Sequence, residues 1–167
     1  MEFTKELISS RIIGYTSRME AEDANRLGQW RERLRQTGLR VTAPRLAVLA
    51  ALAEAGPHTD ADALAAAARA RLGALSTQAV YDNLHALTAA GLLRHIEPAG
   101  HPARYELRVG DNHHHLVCRR CGAIKDVDCT VNAAPCLQPS EDHGFVLDEA
   151  EVTFWGICPR CQNAEHR

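Results

Sequence analysis

No run of eighteen apolar residues occurs in the 167-residue chain, and no basic, apolar and small-residue leader precedes the part that reads as folded. The first absence leaves no candidate membrane helix, and the second predicts a soluble, cytoplasmic protein. No internal repeat is visible. Two catalytic metal signatures are also missing: there is no His-Glu-x-x-His, and no His-x-Glu followed by Pro-Cys-x-x-Cys, since Cys158-Pro-Arg-Cys161 carries its proline inside the pair. The chain is therefore not expected to be an enzyme, although a metalloenzyme remains the alternative from a different class. A strong net charge is lacking as well, 19 basic against 21 acidic residues giving −2.

That near-neutrality hides an asymmetry. Residues 26–108 hold 11 Arg and 7 Asp or Glu, a net +4, while residues 109–167 hold 5 basic and 9 acidic residues, a net −4. The first segment is the candidate for a polyanion partner, although an ordinary solvated surface explains such a modest excess equally well. The chain divides at the same place. Residues 1–19 lack periodicity and read as a disordered extension; residues 20–108 and residues 109–167 read as two small domains.

Within the first domain, Leu27, Trp30 and Leu34 mark an amphipathic helix ending near Gly38. Thr42 and Pro44 open a second, Asp60 to Leu72 forms an alanine-rich third, and Ser76 caps a fourth that Gly91 stops. The strand-like runs "LLRHIE" and "ARYELR" follow. Helices closed by a hairpin make a winged helix-turn-helix, so the fold class is α+β. On the fourth helix Val80, Leu84 and Leu87 point inward, leaving Thr77, Gln78, Tyr81 and His85 near one exposed face with Asn83 to one side and Ser76 at the start. Gln can address adenine, Thr a thymine methyl, and Tyr a phosphate or methyl group, as a major-groove recognition helix requires. Arg40, Arg45 and Arg104 are candidate phosphate clamps or minor-groove probes. Asp82 would repel phosphate, and a plain surface helix is the competing reading.

The second domain carries the metal chemistry. Cys118-Arg-Arg-Cys121 and Cys158-Pro-Arg-Cys161 are two C-x-x-C knuckles, which together supply the four thiolates of a closed tetrahedral zinc site. In a reducing compartment six cysteines point to metal ligation before disulfides. Cys129 and Cys136 are left over, as small buried residues or as a second thiol switch. If "HHHLVC" is a strand, His113, His115 and Val117 face one way and His114, Leu116 and Cys118 the other. His113 and His115 then form an imidazole seat of their own, with Glu106 and Asp126 as its carboxylates, suited to Fe(II), Mn(II) or Zn(II). The alternating "FVLDEAEVTFWGIC" reads as a long strand, and the stretch from Thr130 to Gly144 as an irregular connection with at most one helical turn.

Four motifs, "GLRVTAPRLAVL", "STQAVYDNLHALTAAGLL", "RYELRVGDNHHHLVCRRCG" and "WGICPRC", in this order and spacing, resemble the ferric uptake regulator superfamily over nearly all of residues 26–161. The resemblance is strongest to its actinobacterial branch, which controls catalase-peroxidase genes in response to peroxide and iron. It implies a homodimeric, metal-dependent repressor on a palindromic double-stranded operator, with residues 20–108 as its winged-helix DNA-binding domain, residues 109–167 as its dimerisation and metal-binding domain, and structural Zn(II) at Cys118, Cys121, Cys158 and Cys161. It also implies a regulatory Fe(II) or Mn(II), replaceable by Zn(II) in vitro, at His58, Glu106, His113, His115 and Asp126. A metal-uptake regulator without peroxide sensing is the alternative within the family, and a metal-storage module would have no use for the fourth helix. Where iron sensors of the family show His-His-Asp-His, this chain has Asn112 to His115, which puts the family's additional dimer-domain metal site in doubt.

Overall fold

A computed structural model describes residues 23–107, 109, 111, 113–130, 136–147 and 150–164. The extension at residues 1–19 lies outside them, as does the segment 131–135 within the irregular connection. Helix α1 covers residues 23–36, followed by α2 (Ala43–Ala55), β1 (Thr59–Asp60), α3 (Ala61–Leu72), α4 (Thr77–Ala89), β2 (Arg94–Ile96) and β3 (Arg104–Glu106). Strands β4 (His113–Cys118), β5 (Ile124–Asp128), β6 (Thr153–Gly156) and the short helix α5 (Pro159–Asn163) complete the chain.

Helices α2, α3 and α4 each start where a side chain satisfies a free N–H of the first turn. The amide of Arg45 donates to the Thr42 hydroxyl at 3.4 Å, that of Ala63 to Asp60 at 2.8 Å and that of Ala79 to Ser76 at 3.1 Å. Leu34, Leu49, Leu52, Leu64, Leu84 and Leu87 are fully buried where these helices meet. The β2–β3 hairpin closes the group antiparallel, and β1 adds a two-residue third strand that periodicity did not predict, giving the order β1-β3-β2. A winged helix-turn-helix results, as the spacing of turns and apolar residues predicted.

The second sheet has the order β5-β4-β6, antiparallel between β4 and β5 and parallel between β4 and β6. Its apolar core is small: Ile96, Val117 and Ile124, with Trp155 packed on them. The long strand expected from "FVLDEAEVTFWGIC" is corrected to Thr153–Gly156. Only that end pairs with β4; Phe145 and Val146, 74% and 96% exposed, lie in no strand. Alternation describes a side-chain pattern, but a strand also needs a neighbour to accept its ladder. Residues 136–144 of the connection contain neither helix nor strand.

Candidate metal centres and nucleic-acid face

Strand β4 is central in its sheet, and its alternation separates two metal centres. His115 pairs with Asp126 across the β4–β5 ladder, so both side chains leave the same face of the sheet. Onto that face come Glu106, from the end of β3, and His58, from the turn after α2. His58 holds a left-handed backbone at φ 61° directly after Pro57. A non-glycine residue in that region is uncommon, and strain of this kind gathers where a side chain must be aimed.

The four groups converge. His58 Nε2 lies 3.1 Å from Glu106 Oε2 and 2.6 Å from Asp126 Oδ1, and His115 Nε2 lies 3.7 Å from both Glu106 Oε1 and Asp126 Oδ1. One ligand atom from each falls within 4.8 Å of every other. Glu106 and His115 are completely buried. Neither ring nitrogen of His115 has a hydrogen bond of acceptable geometry, nor has His58 Nε2 or Glu106 Oε2. Buried polar atoms that crowd together without well-formed hydrogen bonds fit a cation at their centre, since poorly satisfied burial is otherwise costly. Burial alone would push the Glu106 carboxyl up, but contacts with His115 and His58 and the charge of His113 and His115 outweigh it and bring it down to about 2. Glu106 is thus an anion ready to ligate. His113 stands beside this set: its Nε2 meets Glu106 Oε1 at 2.9 Å and its Nδ1 meets Asp111 Oδ1 at 2.8 Å.

The thiol centre lies at the other end of β4. Cys118, Cys121, Cys158 and Cys161 bring their sulfurs within 4.8 Å of one another, Cys121 and Cys158 standing 3.6 Å apart. Two backbone turns shape it: the Gly122 amide donates to the Cys118 carbonyl and the Cys161 amide to that of Cys158, both at 2.9 Å. Gly122 is required here. Its φ is 66°, and a Cβ would come within 2.6 Å of the His101 ring. The amides of Cys158 and Cys121 draw the Cys118 thiol down to about 6, while contacts with Cys121 and Cys158 push that of Cys161 up to about 12. Four thiols this close cannot all ionise alone, whereas a dication would stabilise all four thiolates. This donor set fits zinc.

On α4, Ser76, Thr77, Gln78 and His85 are exposed, and Tyr81 and Asn83 are half-buried. Tyr81 packs on the helical core, and the Asn83 amide donates to the Ala79 carbonyl at 2.6 Å. Asp82 accepts from the Gln78 amide at 2.7 Å, which fixes the orientation of the residue most able to read a base. Arg69 donates to the Thr77 hydroxyl at 2.6 Å. Arg45 donates to the carbonyl of Arg40, whose side chain is exposed, and Arg104 forms an ion pair with Asp60 at 2.7 Å. Among the described residues no helix is long and apolar enough to cross a membrane.

Of these groups, periodicity and strand alternation had singled out the four knuckle cysteines, Glu106, His115 and Asp126, and the resemblance alone had supplied His58. What both missed is that His114, Cys129 and Cys136 also converge. Side-chain parity held part of that signal: Val127 stands opposite His114, so Cys129, two residues on, continues on the same face.

Comparison with known proteins gives one consistent family match. The model of the ferric uptake regulator family matches residues 36–155. The transcriptional regulator FurA of Mycobacterium tuberculosis is 62% identical over 130 residues, which cover 78% of this chain and 88% of that protein. The peroxide operon regulator of Bacillus subtilis is 28% identical over 86% of this chain and 98% of its own length. A zinc uptake regulator solved with zinc and DNA shares the fold at a TM-score of 0.60 and 22% identity, covering 87% of this chain and 98% of that one.

Proposed function

The chain belongs to the ferric uptake regulator family, and we propose that it is a metal-dependent repressor that releases its operator in response to peroxide. The observation that carries this reading is the convergence of His58, Glu106, His115 and Asp126, residues far apart in sequence, on one point. His58 and Glu106 belong to the winged-helix part, whereas His115 and Asp126 belong to the second sheet. Closing the four groups on one ion fixes the two parts against each other and so fixes where α4 stands in a dimer. A differential affinity of about 5.5 kcal/mol would carry the closed fraction from about 1% to about 99%.

The regulatory ion is Fe(II) or Mn(II), with Zn(II) able to replace it in vitro; Zn(II) holds the four cysteines permanently. Oxygen and nitrogen donors suit the first pair of metals and thiolates the last. When bound, Fe(II) would promote cleavage of the peroxide O–O bond beside the imidazole rings, one oxygen atom adding to a ring carbon and the other leaving as water. His58, His113 and His115 are the rings within reach, and a ring that gains an oxygen atom no longer closes the site. His113, held by Glu106 and Asp111, positions Glu106 and is the outer ring of the three.

Operator contact falls to Ser76, Thr77, Gln78, Tyr81, Asn83 and His85 on α4, with Arg40, Arg45 and Arg104 toward the phosphates. Exposed Phe145, Val146, Leu147, Leu116 and Phe154 offer the apolar surface of a homodimer, which a palindromic operator would match. Catalase-peroxidase and other oxidative-stress genes are the proposed targets, and the FurA and peroxide-regulator relatives support that choice.

The test is operator binding in increasing salt with iron, manganese or chelator present. Metal-dependent binding that is lost in His58→Ala, with the cysteine zinc retained, is expected. Peroxide should then release the iron form and not the manganese form, with one oxygen atom added to a peptide bearing His58, His113 or His115. Release without that addition, and reversed by a thiol reductant, would place the sensor at a cysteine and sink the histidine mechanism.

A further inference from the structure

Strand β4 has a second face. The alternation that aims His113 and His115 at the regulatory site leaves His114 pointing the opposite way, where it is buried with 6% of its surface exposed. Cys129, immediately after β5, is buried on the same side, and Cys136 returns over it from the β5–β6 connection. His114 Nε2 lies 3.4 Å from Cys136 Sγ, and one ligand atom from each of the three residues falls within 4.8 Å of the others.

We propose that His114, Cys129 and Cys136 form a further binding site for zinc(II), built on the face of β4 opposite the regulatory centre, with the fourth ligand position open to water. Zn–N of about 2.0 Å and Zn–S of about 2.3 Å set a tetrahedral N-to-S edge of about 3.5 Å. The His114–Cys136 separation of 3.4 Å already meets it. A thiol is a weak partner for a buried imidazole, so this environment satisfies His114 poorly without an ion. Binding would release one proton from each thiol, and two thiolates with a dication make an uncharged centre that burial tolerates.

The donor chemistry also separates this site from its neighbour. One imidazole and two thiolates select a thiophilic ion, where two carboxylates and two imidazoles do not. Nor is it the family's additional site carried over, which Asn112 and His114 put in doubt: Cys129 and Cys136 come from outside the histidine run. The site would pin the 129–136 connection to the central strand, one residue from the regulatory ligand His115.

The test compares the full-length wild type with Cys129→Ser/Cys136→Ser after saturation with zinc or cobalt(II) and removal of loose metal. The double variant should hold one zinc ion fewer per chain. Its thiolate-to-cobalt charge-transfer absorbance should fall by about a third, since two of six thiolates are gone. Equal zinc content and undiminished absorbance would overturn the proposal, as would a Cys129–Cys136 disulfide in protein isolated without oxygen. Should the double variant fail to fold, alkylation of the wild type decides. Zinc, and not manganese, should protect Cys129 and Cys136 from iodoacetamide while the four knuckle cysteines stay occupied, and equal labelling rates with and without zinc overturn the assignment.

Discussion

The two halves of this molecule are held together by different physics. In the helical half, seventeen buried residues from Trp30 to Tyr105 form one continuous apolar cluster. Among the described residues the second sheet has Ile96, Val117 and Ile124 as its buried core, and Ile96 is borrowed from the wing. Its other buried groups are largely polar or sulfur-bearing: His113, His114, His115, Cys118 and Cys129. A sheet that cannot bury enough hydrocarbon to offset its chain entropy needs cross-links, and the proposed ligand sets for metal ions would supply them. With the proposed sensing residues in that sheet, occupancy of an ion would change the order of the element that carries it.

Removing zinc from the four cysteines should break the comparison most visibly. Structural zinc contributes on the order of 10 kcal/mol to folding in small domains. Chelation under reducing conditions should therefore abolish amide-exchange protection across His113–Cys118, Ile124–Asp128 and Thr153–Gly156 while α2, α3 and α4 keep theirs. Uniform loss in both halves would show that they fold as one unit.

The complementary change is Leu84→Ala in the centre of the helical core. Leu84 is fully buried, and truncation should cost about 3 kcal/mol. Thermal melting should fall for the helical half, with zinc content unchanged. A loss of zinc in this variant would tie the thiol centre to the helical core.

A finer probe is Asp60→Asn, because Asp60 ties β1 to β3 in the helical half with a charge. The Ala63 amide chiefly, and Arg104 after it, hold its carboxyl below the usual range against the opposing effect of burial. A carboxylate whose folded pKa is depressed contributes fully above its unfolded value near 3.8 and loses that contribution as pH falls through the folded one. Asn caps a helix as well as Asp does, so the deficit of Asp60→Asn is that of the partly exposed charge pair with Arg104, a few tenths to about 1 kcal/mol, and it should be present at neutral pH and disappear in strong acid. Equal stability of the two proteins at neutral pH would mean that the Arg104 pair contributes nothing.

Much of this arrangement can be read along the chain. Leu27, Trp30 and Leu34 recur at helical spacing, Thr42, Asp60 and Ser76 cap the helices that follow, and the two C-x-x-C pairs need only local turns to aim their sulfurs. The period-two rule placed His113 and His115 on one face of β4 because a strand has no other way to orient successive side chains. Where a prediction needed a partner distant in sequence, it weakened. The strand through Phe145 and Val146 failed for want of a neighbour, and β1 exists only because β3 passes beside Thr59.

By itself, then, the sequence determined the main helices, their capping and the cysteine knuckles, all of which depend on residues within a few positions of one another. Tertiary structure alone decided which distant groups meet. It turned His58 at φ 61° toward Glu106 and Asp126, set His113 one step outside that cluster, and gathered His114, Cys129 and Cys136 into another. A ligand atom's position depends on the packing of whole elements, and no local spacing encodes the separation of two segments that only the folded sheet brings together.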